Sequence, residues 1–228
     1  MKMTRPALLL FIGQLLCCTL ATGQINKFEV GISGGPSLTY SRGNDGLKEF
    51  GQPTFGYAGG VTLQYNFPKI VSLRTNVSYV KKGHKLKIET TDAQGQPLGD
   101  LLIGEASFDY LTLPILARVS FGKKFKFFAN IGPYFGFLIN YAEKRYSFFL
   151  EESNVDDFKR FDTGITGGIG VSLTVKDRFI VSLEARHNLG LYNISKQTIN
   201  NDGSLIPNSA ELLIGFAYGF GAKAEEQK

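Results

Sequence analysis

Few side chains in this chain could do chemistry. Its two histidines are His84 and His187. His84 stands in a basic run, Lys81-Lys82-Gly83-His84-Lys85. The plain reading of that run is a solvated strand extension. The sharper one is contact with anionic lipopolysaccharide phosphates, which basic patches attract. By strict alternation His187 falls on the apolar side of its segment, so it is expected near a membrane boundary or at a local bulge. A catalytic His187 would need a serine and a carboxylate around it. A lipid-modifying enzyme with His-x-Ser near a strand end is not matched, because the residues are His187-Asn188-Leu189. No nucleophile elbow, phosphate loop or His/Cys metal cluster occurs. The runs Gly31 to Gly35 and Gly164 to Gly170 lie inside alternating segments and open no helix, so they do not read as dinucleotide loops. Asp156, Asp157 and Asp202 lack calcium-loop spacing. The chain is therefore expected to be no enzyme and to carry no cofactor or metal.

What remains is a set of six charges on the polar side of alternating segments: Glu29, Glu184 and Glu211 against Arg74, Arg118 and Arg186. Inside a narrow barrel they would pair, and buried charges are tolerated only when paired. The structural reading is that they hold neighbouring strands together. The functional reading is a polar pathway or gate. Eight strands leave an interior just wide enough for side chains, so a stable open pore is not expected.

Eight segments position these charges, and in each the apolar residues recur at every second place, the period of a strand. Phe161, Ile165, Ile169, Val171, Leu173 and Val175 oppose Asp162, Gly164, Thr166, Gly168, Gly170, Ser172 and Thr174. Leu212, Ile214, Phe216, Tyr218 and Phe220 oppose Glu211, Gly215, Ala217 and Gly219. Phe127, Ile131, Phe135, Phe137 and Ile139 oppose Asn130, Tyr134, Gly136 and Asn140. The other five follow the same rule, and no convincing helix is read. The polar sides are rich in Gly, Ser, Thr and Asn. That suits a narrow interior rather than a solvated exterior, and it predicts that the apolar face points outward to lipid. The expected fold is all-β: an eight-stranded antiparallel up-and-down transmembrane β-barrel with short periplasmic turns and longer extracellular loops.

Connections alternate in length. Asn66 to Lys69, Gly122 to Lys124 and Lys176-Asp177 are short, whereas Ser41–Gln52, Gly83–Ala106, Glu143–Arg160 and Ser195–Ser209 are long and polar. This asymmetry places both termini in the periplasm. Phe67, Phe121, Phe125, Phe179 and Phe220 cluster at the short-turn ends, as an interfacial girdle would.

The N-terminus reads as a signal peptide over residues 1–23. Lys2 and Arg5 are followed by an apolar run and then by Ala21-Thr22-Gly23, so cleavage is expected near Gly23-Gln24. Residues 24–228 then form the outer-membrane barrel domain, ending in a short polar tail. Both cysteines, Cys17 and Cys18, leave with the signal peptide, so the mature chain has no thiol chemistry. Its 23 basic and 20 acidic residues give +3, spread along the chain, which does not point to nucleic acid.

Three stretches resemble the PorT-like outer-membrane β-barrel family of the Bacteroidetes: Phe108-Asp109-Tyr110-Leu111-Thr112-Leu113-Pro114-Ile115-Leu116, Asn130-Ile131-Gly132-Pro133-Tyr134-Phe135-Gly136, and Ser182 to Leu191. Gly34-Gly35-Pro36-Ser37 fits the same pattern. The resemblance implies an outer-membrane barrel. It also implies partners among outer-membrane lipid, lipopolysaccharide and the proteins of the type IX secretion system, in which the family's namesake takes part. Other expectations are a surface interaction scaffold, a secreted soluble barrel with an apolar ligand inside and, least supported, a lipid-modifying enzyme.

Overall fold

The computed structural model describes residues 27–67, 70–91, 94, 96–145, 150–152, 155–196 and 203–220. The signal peptide, both cysteines, the Pro68-Lys69 turn pair, Asp202 and the C-terminal tail lie outside the described residues. Eight long strands make the wall: β1 (Phe28–Arg42), β2 (Thr54–Asn66), β3 (Val71–Thr91), β4 (Pro97–Gly122), β5 (Phe125–Arg145), β6 (Phe161–Val175), β7 (Phe179–Gly190) and β8 (Ile206–Phe220). Each pairs antiparallel with its sequence neighbours, and β1 pairs with β8, so the sheet closes as an up-and-down barrel. Closure leaves no free edge, which is what lets strands cross a bilayer.

The period-two pattern decides which side faces where. Phe55 is 81% exposed, Ile169 69% and Ile131 64%. Thr39, Asn76, Thr166 and Asn208 are fully buried inside the wall. The apolar face therefore points outward, and the soluble alternative with an apolar lumen does not hold. Aromatic rings ring the short-turn end. Phe28 lies 5.0 Å from Tyr65 and 5.6 Å from Phe220, and Phe179 lies 5.3 Å from Tyr218, centroid to centroid. The five phenylalanines expected in this girdle are all exposed.

Three expectations need correction. Gly83–Ala106 is not a long irregular loop, because β3 and β4 continue as a paired hairpin to Thr91 and Pro97. Period two simply persists past the apolar band, with Lys85 and Lys87 replacing apolar residues on the outward side. A helix also exists: α1 (Asp45–Phe50), capped by Asn44, whose Oδ1 accepts from the Leu47 amide at 2.8 Å. Six residues are too few to show a helical period in sequence. Finally, Asn140 faces outward. A bulge between β4 and β5 pairs Asp109 with Asn140 but Tyr110 with Leu138. It inserts one residue and inverts the faces beyond it, so Leu138 and Tyr141 are both buried while Asn140 donates to Asp109 Oδ2 at 3.2 Å.

Candidate functional site: the lumen and its mouth

The lumen is filled by three layers of side chains. At the short-turn end Asn66 donates to Glu29 at 2.8 Å and accepts from Gln64 at 2.8 Å and Ser72 at 2.7 Å. Glu29 is half-buried there. The middle layer centres on Glu184. Arg186 Nε donates to its Oε1 at 2.7 Å, and Arg118 Nη2 reaches its Oε2 at 3.3 Å. Asn130 bridges the layer, accepting from Arg118 Nε at 2.7 Å and donating to Glu184 at 2.9 Å. Arg118 also lies over the Phe128 ring, 3.7 Å from its centroid. Gly170 makes room for that ring, because a Cβ at this position would collide with Phe128.

All six predicted charges thus occupy the lumen, but they do not pair as a set. Arg118, Glu184 and Arg186 form a triad. Glu211 is held by neutral donors instead, Asn188 at 2.6 Å and Ser209 at 3.1 Å. Arg74 is buried and makes no ion pair among the described residues, and its Nε has no hydrogen-bond partner.

A second charge pair went unpredicted. Lys82 Nζ lies 2.8 Å from Asp162 Oδ2, both side chains fully buried. Tyr134 donates to the same oxygen at 3.1 Å, and the ammonium sits 5.1 Å from the Tyr110 ring centroid and 4.6 Å from that of Tyr134. The basic run containing Lys82 and His84 was expected in solvent. Both residues share the inward parity of Arg74, so the signal was present, hidden by the surrounding lysines. A cavity of about 10 Å³, room for about one water molecule, lies between Lys82 and Tyr134 on one side and Arg186 and Glu211 on the other.

The mouth at the long-loop end is closed by an apolar plug. Phe108, Tyr110, Leu138 and Tyr141 from the wall pack with Leu47 of α1 and with Ile194 and Leu205 from the β7–β8 connection. Phe158, from the β5–β6 connection, stands 5.1 Å from Phe108 and 4.5 Å from Tyr141. His84 borders this plug. Its Nδ1 lies 2.9 Å from Ser41 Oγ, and its ring stacks on Phe108 at 6.2 Å. Burial pushes its imidazole down to about 4, with Glu143 pulling the other way. Beside it a recess of about 210 Å³ opens, lined by Glu105, Tyr141 and Glu143 among others. His187 lies on the outer wall with its Nε2 3.3 Å from the Tyr40 hydroxyl, and the ladders on both sides of it run without a bulge.

An outward apolar band, aromatic rings at its border and a packed polar lumen define a membrane-spanning β-barrel of the bacterial outer membrane type. The chain belongs to the outer membrane protein beta-barrel domain family, whose model matches residues 19–196. Among solved structures it is similar to Neisserial surface protein A, with 13% identity and a TM-score of 0.49 over 85% of this chain and 97% of that one. OprG of Pseudomonas aeruginosa is 13% identical with a TM-score of 0.46, covering 88% of this chain and 98% of its own. The outer membrane protein W of E. coli is 11% identical with a TM-score of 0.44, covering 87% and 100%. No curated protein matches the chain.

Proposed function

We propose that this protein is a non-enzymatic outer-membrane barrel that works as an interaction scaffold, with its termini in the periplasm after signal-peptide cleavage and its long-loop end outside. One observation supports this most. The lumen is occupied by hydrogen-bonded charges and sealed by the apolar plug, while β3 and β4 run on past the apolar band as a projecting hairpin. A filled lumen favours holding something at the mouth over passing it through. The resemblance to the PorT-like family makes a component of the type IX secretion system the most specific version of the scaffold.

Orientation is checked by labelling a Lys87→Cys variant on intact cells with a membrane-impermeant maleimide. Labelling without lysis is expected, and labelling only after lysis would reverse the topology. The secretion role is checked by shortening the β3–β4 hairpin and following both cross-linked neighbours and exported cargo. Loss of cross-links to secretion proteins is expected. Unchanged cross-links and export would remove that role.

A further inference from the structure

The outer wall is not uniformly covered by large side chains. Where β6, β7 and β8 pass one another, the outward positions are small. Gly167 pairs with His187 and His187 with Ala210 in one row, and Ala185 lies in the row below, between Ile169 and Leu212. The result is an open groove of about 650 Å³ on the outer wall. Leu38, Phe55, Ile169 and Leu212 form its walls.

A polar group stands at one end of this apolar groove. Tyr40 is the one side-chain hydrogen-bond partner of His187 among the described residues. When the Tyr40 hydroxyl donates to Nε2, the ring proton sits on Nδ1 and has no side-chain acceptor among the described residues. At the polar end of a lipid-facing groove such a donor is placed to give its proton to an oxygen of the lipid headgroup. Exposed Arg42 lies two residues further along β1, its guanidinium donating to the Gly190 carbonyl at 2.7 Å. It adds a positive charge beyond the polar end, on the side of the long loops.

We propose that this groove is a binding site for one lipid A moiety of lipopolysaccharide. An acyl chain would lie over Gly167, Ala185 and Ala210, and an ester or phosphate oxygen would accept from His187. The lipid assignment rests on the long-loop end facing outward, since lipopolysaccharide fills the outer leaflet. The Lys87→Cys labelling tests that orientation separately from any lipid measurement.

The test is native mass spectrometry of the full barrel in mild detergent, titrated with purified lipid A and, in parallel, with phosphatidylglycerol. Ala210→Phe fills the groove. His187→Phe keeps a ring but removes the donor. Ala117→Phe enlarges an outward alanine on β4, across the barrel from β8, as a control. Wild type and the control should hold one lipid A, and the two groove variants should need about tenfold more, the scale of one lost hydrogen bond or its equivalent in packing. A boiling-dependent gel shift confirms that each variant is folded. Equal lipid A binding by all four proteins would overturn the site. Phosphatidylglycerol held as tightly as lipid A would overturn the choice of lipid.

Discussion

The two ends of the lumen solve one problem by opposite means. Toward the short turns the interior is polar, and Glu184 ties Arg118, Arg186 and Asn130 together across β4, β5 and β7. Toward the long loops it is apolar, and residues from α1 and two connections fill it. Strand parity supplies every contact of the first end. The second end depends on segments far apart in sequence. A charge network fixes geometry strongly because each missing partner strands a buried charge, whereas an apolar plug can open locally without disturbing the wall.

That contrast predicts a graded series of effects. Glu184→Ala should be the most damaging change, because it leaves Arg118 and Arg186 buried without their carboxylate. A loss of about 3–5 kcal/mol is expected, read as a lower urea midpoint for the folded, heat-shifting band. If that midpoint stayed put, the triad would be incidental to the wall. Phe158→Ala should cost less, about 2–3 kcal/mol, since the ring is only partly buried and its cavity opens at the mouth. Its effect should be local: faster proteolysis of the β5–β6 connection with an unchanged gel shift. Loss of the gel shift would mean that the plug and the wall fold as one unit.

The smallest effect concerns pH. Burial holds His84 at about 4 in the folded mouth, whereas free imidazole titrates near ~6.5. As pH falls, the open mouth takes up the proton first. The stability His84 contributes is therefore complete above ~6.5 and is lost as pH falls through the folded value. Proteolysis at the long-loop end should quicken over that window, and His84→Gln should flatten the response. A pH profile shared by wild type and variant would assign the effect to other groups.

Much of this was legible in the chain. The eight strands, the outward apolar face, the phenylalanine girdle and the lumenal placement of all six charges follow from a period of two, because a strand's geometry is local and repeats without reference to partners. The misreadings have separate causes. Lys82 and His84 lie between the outward-facing lysines Lys81 and Lys85, so local composition concealed an inward parity that the alternation had already set. Asn140 faced the wrong way because a single bulged residue inverts every face beyond it, and a bulge is a property of two strands together.

Sequence by itself determined the strands, their faces and the closed, membrane-type wall, since alternation and turn length are written residue by residue. Tertiary structure alone decided which charges meet. Glu184 takes two arginines while Arg74 meets no carboxylate among the described residues, Lys82 finds Asp162 across the lumen, and connections distant in sequence meet in the plug. Those pairings depend on strand stagger and on how far a side chain reaches across the barrel, and neither is a property of any one segment of the chain.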